Sequence, residues 1–271
     1  MPTAKSMHWI PEIGSATERG LTYVGGLTQL LGSAVRQAFR SPLKRSLSLQ
    51  RACHQAMVIG VTAVPVVSFI TFFIGVIMAL QGAYELRRFG AIHLVADTVA
   101  ISITRELGPL VTAIVVIGRS GSAFAAEIGT MKVTEELDAL ETMALNPIGF
   151  LVTPKLLAML VMLPCLTIWA DFMGVIGGGV FGVTGAGYSW TSYFAATREA
   201  LFMRDVITGL VKSVVFAMVI TGVGCQEGFA TGSGSEQVGR STTSAVVNSI
   251  FLIVLVDLVF TAVFYITSGP Q

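Results

Sequence analysis

Long apolar stretches without charged residues constrain this chain more than any other feature. The clearest runs from Met57 to Gly82 and contains no Asp, Glu, Lys or Arg. The hydrocarbon core of a bilayer is about 30 Å thick, so about 20 apolar residues in a helix cross it. Pro65 is compatible with such a helix, because neighbouring groups satisfy freed backbone groups inside a membrane protein. This run therefore predicts a membrane-spanning helix.

Four further apolar runs are long enough to span a membrane. They cover residues 98–118, 156–183, 206–225 and 243–266. Of the whole chain, 53% is hydrophobic and 12% is charged, about half the charged fraction of a soluble domain. This composition excludes a soluble globular enzyme. The net charge of +1 excludes a disordered chain and a nucleic-acid-binding protein. We therefore predict an all-α integral membrane protein with five spans.

The distribution of basic residues predicts the orientation of these spans, because cytoplasmic loops are enriched in Lys and Arg. An N-terminus in the cytoplasm leaves eleven basic residues inside and four outside, with Arg105 and Lys212 within spans. Seven of the inside residues precede the first span, namely Lys5, Arg19, Arg36, Arg40, Lys44, Arg45 and Arg51. With five spans, the C-terminus is then expected in the periplasm.

Residues 21–40 form a candidate amphipathic helix before the first span, following an N-terminal extension (residues 1–20) to which we assign no role. Its apolar residues recur at steps of three and four, which places them on one helical face: Leu21, Val24, Leu27, Leu31, Val35 and Phe39. Such a helix is typical of one that lies along a membrane surface. The alternative is a helix packed in a cytoplasmic bundle.

The loop between the second and third spans carries an unusual acidic segment, Glu127 to Pro147. Thr134 is placed to cap a helix whose first turn holds two acids, and Asn146-Pro147 provides a stop. Within it, Val133, Leu137, Leu140 and Ala144 form a narrow apolar stripe. We therefore predict a short helix over residues 134–145 that docks on a partner. A solvated surface turn is the alternative.

Charged residues inside the predicted spans are the second unusual feature. Each costs about 3 kcal/mol at the centre of a membrane helix, so they are expected to face the bundle interior or a polar cavity. Arg105 and Glu106 are adjacent and point in different directions, so each needs another partner or a polar ligand group. Pro109 follows and is expected to break the second span into two halves. The alternative is a packing ion pair between Arg105 and Asp171 or Asp257.

The chain contains no phosphate-binding loop, no H-E-x-x-H pair and no Cys/His cluster. These are the common sequence signatures of ATP binding, catalytic zinc and structural zinc. We therefore expect no catalytic residues, no metal site and no cofactor in this chain. Any energy for transport is expected to come from a partner.

Several separated strings together resemble the permease subunits of Mla/Mce-type lipid ABC transporters, the MlaE (YrbE) family. They are TRELGP at residues 104–109, GRSGSAFAAEIGT at residues 118–130, the acidic loop ending in Asn146-Pro147, and KSVVFA at residues 212–217. The resemblance extends from about Leu21 to the C-terminus. It is specific because the strings occur in the expected order with the expected span pattern.

The resemblance implies a homodimeric permease in a bacterial inner membrane, with an interfacial elbow helix, five spans and a coupling helix. The coupling helix would fit a groove on a cytoplasmic ABC ATPase, which binds ATP and Mg. Further implied partners are a periplasmic MCE-domain protein, often a hexameric ring, a small STAS-domain protein, and phospholipid. The implied process is lipid transport that maintains outer membrane lipid asymmetry. The lipid and the direction of transport are left open.

The resemblance also implies functional positions. A lipid cavity lined by the first, second and fifth spans would include Arg105, Glu106, Leu80 and Tyr84. ATPase coupling would involve the acidic loop residues Glu127, Glu135, Glu136, Leu137, Asp138 and Glu141. The alternative function is a stand-alone secondary transporter or channel that uses the intramembrane charges as an ion relay, although the chain shows no internal repeat.

Overall fold

The structure is a computed structural model that describes the backbone of residues 9–40 and 42–268 and the side chains of residues 18, 20–37 and 50–267. The first eight residues of the expected N-terminal extension lie outside the described residues. The described chain is almost entirely helical, with short turns between the helices, and contains no strand. The helices are α1 (Trp9–Arg40), α2 (Pro42–Arg88), α3 (Val95–Ser102), α4 (Gly108–Val116), α5 (Ser122–Val133), α6 (Glu136–Thr142), α7 (Thr153–Gly185), α8 (Trp190–Ala200), α9 (Met203–Ala230) and α10 (Ser235–Ser268).

Five of these helical stretches are long and apolar enough to cross a membrane, which confirms the predicted number of spans. The spans cover Gln50–Arg88, Ile92–Val133, Ile148–Gly185, Met203–Ala230 and Ser235–Thr267. Each extends beyond its predicted apolar run. The helices therefore continue past the apolar runs that predict the spans.

The second span is one continuous helical path and is not broken at Pro109. It changes to π-helical winding at Ile103–Leu107 and again at Ile117–Gly121. Pro109 is the second residue of α4, which directly follows the first π segment. The expectation of two separate half-helices was wrong, because the extra residue of each π segment absorbs the irregularity locally.

Glycines bring the first and third spans into backbone contact. A side chain at Gly75 would collide with the backbone of Gly174, and one at Gly177 would collide with the carbonyl of Phe72. Gly174, Gly178 and Gly182, spaced four residues apart on the third span, also lie against neighbouring elements. Such close approach replaces the hydrophobic driving force that membrane helices lack.

The fourth span occupies the middle of the bundle. Its residues Phe216, Ala217 and Ile220 are fully buried in a core cluster with residues of the second and third spans. Gly224 lies against the backbone of Gly121 in the second span. This central helix therefore positions any polar group that it carries inside the protein.

Helix α1 begins at Trp9, well before the predicted start at Leu21. Leu27 and Leu31 pack over Gly222 of the fourth span, whereas Leu21, Val24 and Val35 are exposed. The predicted apolar stripe is therefore divided between a bundle-facing row and an exposed row, and the side chain of Phe39 lies outside the described residues. Placement on a membrane surface stays a prediction.

Helix α8, between the third and fourth spans, was missed from the sequence. The hydroxyl of Ser189 caps it by accepting from the N–H of Ser192 at 3.1 Å. Tyr193 is fully buried against Gly178, Gly179 and Gly182, and burial raises the pKa of this phenol to about 12. The glycines of the third span therefore leave space for the Tyr193 ring, which attaches α8 to that span. We call this end of the bundle the α8 end and the opposite end the α6 end.

Candidate functional site

Arg105 and Glu106 lie on the π-helical segment of the second span, toward the α8 end. The Nε atom of Arg105 is 3.5 Å from Oδ1 of Asp205, at the start of α9. Glu106 forms an ion pair with Lys212 of the fourth span. The two neighbours therefore have separate partners, as their different directions predict. The alternative interpretation, in which Arg105 pairs with Asp171 or Asp257, was wrong about the partner, which is Asp205.

Lys212 is the centre of a buried charged cluster. Its side chain has no solvent exposure, and its ammonium group contacts the carboxylates of Glu106 and Asp257, the latter at 2.9 Å. It also donates to the hydroxyl of Thr261 at 3.0 Å, and that hydroxyl donates to Glu106 at 3.1 Å. Three spans thus contribute to one network. Burial of an ammonium group inside a membrane is sustained by such paired acids.

A pocket of 260 Å³ opens next to this cluster, and we call it the Arg105 pocket. Residues that line it come from the second, fourth and fifth spans and include Ser102, Arg105, Glu106, Thr208, Thr261 and Phe264. The side chains of Arg105 and Glu106 are 37% and 38% exposed, whereas their partners Asp205 and Lys212 are 10% and 0% exposed. Each ion pair therefore has an inner buried partner and an outer partner that faces the pocket.

Asp171 has no ionic partner in the described part of the chain. Its Oδ1 atom is buried without a hydrogen bond and lies against Gly108 of the second span. A side chain at Gly108 would therefore collide with this carboxyl group. Asp171 lies on the third span and does not line the Arg105 pocket.

Leu80 and Tyr84 lie on the first span near the α8 end and do not line the Arg105 pocket. Both are exposed. The guanidinium group of Arg88 lies 5.0 Å from the centre of the Tyr84 ring. Leu80 and Tyr84 therefore do not contribute to the Arg105 pocket of one copy, and their place in a lipid cavity stays a prediction.

The acidic loop forms a shorter helix than expected, α6 from Glu136 to Thr142. Leu137 is buried and Leu140 is half-buried against the core, while the acidic side chains are exposed. The exposed acids of the loop are Glu135, Glu136, Asp138 and Glu141. The loop therefore presents an acidic surface outward from a small apolar base.

Thr134 does not cap this helix, contrary to the prediction. Its hydroxyl donates to the carbonyl of Thr130 at 3.0 Å, because α5 continues to Val133 and includes this turn. Glu135 then adopts a left-handed conformation with φ of 59°, and α6 starts without a side-chain cap. Asn146, predicted as a stop, accepts hydrogen bonds from the N–H groups of Ile148 and Gly149 and so begins the third span.

Glu127 is separated from the other acidic loop residues, because it lies on α5. Its carboxylate is 2.6 Å from the ammonium group of Lys155, whose side chain is 2% exposed. Lys155 also lies 5.0 Å from the centre of the Phe124 ring. Glu127 therefore holds a buried lysine at the α6 end.

Sequence reasoning missed three residues that complete these clusters, namely Asp205, Thr261 and Lys155. Asp205 and Lys155 each lie one residue before a predicted apolar run, where charges are common. A signal for Asp205 was its position in the first turn of α9, where a helix favours an acid. Among the side chains that the structure describes, no group of three or more His, Cys, Asp or Glu could hold a metal ion.

Comparison with known proteins places this architecture in a family. The family described as "Permease MlaE" matches residues 52–263. A probable ABC transporter permease protein of Rickettsia felis is 40% identical over 253 residues, which is 93% of this chain and 96% of that protein.

Two further relatives have more specific names. The Haemophilus influenzae protein named intermembrane phospholipid transport system permease protein MlaE is 34% identical over 78% of this chain and 81% of its own length. The chloroplastic protein TRIGALACTOSYLDIACYLGLYCEROL 1 of Arabidopsis thaliana is 34% identical over 84% of this chain and 65% of its own length. With its five spans and its match over most of the sequence, the chain belongs to the MlaE permease family.

Proposed function

We propose that this chain is the membrane permease of an ATP-driven phospholipid transporter in a bacterial inner membrane. Its charged Arg105 pocket contacts the polar headgroup while the acyl chains lie along the apolar spans. Extracting a lipid exposes acyl chain at a cost of about 0.8 kcal/mol per methylene. A shielded route with a few charges, driven by hydrolysis in a partner, suits that task. The name of the Haemophilus influenzae relative supports phospholipid as the substrate.

The observation that carries this proposal is the asymmetry of the two ion pairs. Arg105 and Glu106 keep more than a third of their side chains exposed, while Asp205 and Lys212 hold them from inside. An ion pair that only stabilised helix packing would be expected to be buried on both sides. The outer charges are therefore available to a headgroup, which carries a phosphate and often an ammonium group.

A second copy of the chain completes the cavity in this proposal. The Arg105 pocket has 260 Å³, below the range of about 300–1,000 Å³ for small-ligand sites, so one copy does not enclose a two-chain lipid. Only 6% of the most apolar stretch of the fifth span is buried. Two-fold symmetry is the commonest closed arrangement of identical chains, and in this proposal the two pockets face each other across that axis.

The α6 end faces the cytoplasm in this proposal, because the loops at that end contain most of the basic residues. An ABC ATPase, which binds ATP and Mg, then docks on the acidic surface of α6, and a periplasmic MCE-domain protein receives or delivers lipid at the α8 end. The N-terminus is cytoplasmic and the C-terminus periplasmic. The elbow role of α1 at the membrane surface belongs to the same arrangement.

Transport measured together with complex yield tests the role of the Arg105 pocket. Arg105→Ala and Glu106→Ala should each reduce transport about tenfold or more, as the loss of a charged contact of about 1.5–3 kcal/mol would give. The yield of the complex should be retained, because each buried residue still has a partner in the variant. In Glu106→Ala, Lys212 is still paired with Asp257. In Arg105→Ala, Asp205 still accepts from the backbone N–H of Phe202 at 3.1 Å. A loss of yield in step with transport would assign both residues to packing.

Copurification of an ATPase tests the coupling role of α6. The double variant Glu135→Lys/Asp138→Lys should lose the ATPase while the membrane part stays folded, because both side chains are exposed. Unchanged copurification would contradict docking on this surface. If the unmodified chain is purified without any ATPase and still transports, the stand-alone ion relay becomes the better explanation.

A further inference from the structure

A second pocket, of 490 Å³, lies at the α6 end between the beginnings of the first and third spans. Residues that line it include Arg51, His54, Gln55, Glu127, Phe150 and Lys155, and we call it the Arg51 pocket. It shares no lining residue with the Arg105 pocket. The proposed transport of lipid makes no use of it.

Lys155 presents a buried ammonium group at this pocket. Its side chain is 2% exposed, and its one hydrogen bond within the described chain goes to Glu127 at 2.6 Å. An ammonium group has three N–H donors, so two of them have no acceptor among the described residues. Glu127 is the carboxylate that lines the pocket, and its charge is balanced by Lys155. The pocket thus has unused donors and no excess negative charge.

Arg51 adds a cation that no carboxylate of the described chain neutralises. Its guanidinium carbon lies 3.9 Å from the centre of the Phe150 ring, and its Nη1 atom donates to the carbonyl of Phe150 at 3.4 Å. No described acid lies within 4.0 Å of it. The aromatic ring holds the guanidinium plane in place, and its remaining N–H groups match the oxygens of a phosphate.

The sequence around Arg51 increases the positive charge at this end of the span. No acid occurs between Glu18 and Glu85, whereas six basic residues do: Arg19, Arg36, Arg40, Lys44, Arg45 and Arg51. Basic pockets between membrane helices, and basic clusters just outside a span, are typical binding sites for anionic lipid headgroups. The charge of the region therefore selects an anionic ligand.

We infer that the Arg51 pocket binds the phosphate headgroup of an anionic phospholipid in the leaflet at the α6 end. A soluble phosphate offers the same oxygens, but the pocket lies where the first and third spans enter the membrane. Its lining also includes the apolar residues Leu151 and Pro154, which suit the glycerol and upper acyl region. This site depends on the membrane spans and not on the proposed transport function.

Binding of defined lipids to the purified full-length protein tests this site. Native mass spectrometry in detergent, titrated with phosphatidylglycerol or phosphatidylcholine, should show preferential retention of phosphatidylglycerol. Arg51→Gln should weaken phosphatidylglycerol binding about fivefold, the factor for about 1 kcal/mol per basic residue at a membrane surface, and weaken phosphatidylcholine binding by a smaller factor, because the choline ammonium group offsets the attraction of the phosphate to a cationic pocket. The matched control Arg240→Gln removes an exposed cation at the same end and should change neither.

Two further arms separate this site from its alternatives. In Arg105→Ala the phosphatidylglycerol adduct should persist, because the Arg105 pocket lies at the other end, so this result is independent of the proposed function. Gln55→Glu adds a carboxylate to the pocket and should also weaken phosphatidylglycerol binding. This second variant keeps the test possible if Arg51→Gln does not fold. The site is overturned if both pocket variants bind like Arg240→Gln, or if phosphatidylcholine binds as well as phosphatidylglycerol. Equal competition by glycerol phosphate at the same concentration would identify a soluble anion instead of a lipid.

Discussion

The fourth and fifth spans are both apolar helices long enough to cross a membrane, but they have opposite environments. Of the most apolar stretch of each, 56% is buried in the fourth span and 6% in the fifth, although the fifth is the more apolar. In water the more apolar helix would be the buried one. In a membrane lipid tails solvate apolar side chains equally well, so small residues and paired charges mark the interior instead.

Individual residues show the same contrast. Gly209 and Gly224 of the fourth span lie against backbone carbonyls of the second, and Lys212 is buried among acids. The fifth span leaves Phe251 and Leu258 more than two-thirds exposed, at 67% and 68%. The fourth span thus organises one copy of the chain, while the fifth presents a surface for lipid or for another subunit.

The largest effect expected from this contrast is at Lys212. Lys212→Met should destabilise the protein by about 3–5 kcal/mol, because it leaves the partly buried acids Glu106 and Asp257 without their cation. Thermal unfolding in detergent measures the loss. Adding Glu106→Gln and Asp257→Asn to the same variant should restore part of it. Lys132→Met, which removes an exposed lysine, is the control, and an equal loss there would contradict the central role of Lys212.

A smaller effect is expected at the glycine contacts of the fourth span. Gly209→Ala should cost about 1–3 kcal/mol, since the new methyl group would collide with the carbonyl of Thr104. Gly239→Ala in α10 meets nothing within 4 Å and should instead gain up to about 1 kcal/mol from helix propensity. A lower unfolding temperature for Gly209→Ala and a higher one for Gly239→Ala would support the difference in packing between the fourth and fifth spans. An equal loss in both variants would contradict it.

The exposed face of the fifth span tests whether lipid or a second copy covers it. If a second copy covers this face, Phe251→Ala should raise the dissociation constant of the dimer at least about fivefold. This is the effect of losing about 1 kcal/mol at an interface. Native mass measurement reports the number of copies. Phe172→Ala, on an exposed position of the third span, is the matched control. A complex with one copy of the unmodified chain would show that lipid covers this face.

The sequence was sufficient to predict five spans because apolar runs of this length with at most two charged residues are typical of membrane-spanning helices. It also identified Arg105, Glu106, Lys212 and Asp257 as unusual, since each is costly in a membrane. Their pairing could not be predicted, because Asp205 and Lys212 reach the second span only through the packing of the fourth. Local periodicity contains no information about such contacts between distant segments.

Two local features, the π segments and helix α8, could not be predicted from the sequence patterns either. The π segments at Ile103–Leu107 and Ile117–Gly121 depend on one extra residue per turn, which leaves no compositional mark. Helix α8 is anchored by Tyr193 in a row of glycines that belongs to the third span, so its stability comes from tertiary contact. The 134–145 prediction found the correct loop but placed the cap at Thr134, because nothing in the sequence shows that α5 continues to Val133.

The smallest effect is expected at the exposed start of the fifth span, where Arg240 pairs with Glu236 at 2.9 Å and both side chains are more than two-thirds exposed. Water screens this pair, and a helical pair at this spacing contributes about 0.3–0.5 kcal/mol. Arg240→Ala should therefore leave the unfolding temperature nearly unchanged, and added salt should remove what difference exists. Lys212→Met should keep its full loss in the same salt titration, because the buried cluster is screened far less. A comparable salt dependence for both variants would mean that water reaches Lys212, and the fourth span would then line a wet cavity and not a closed interior.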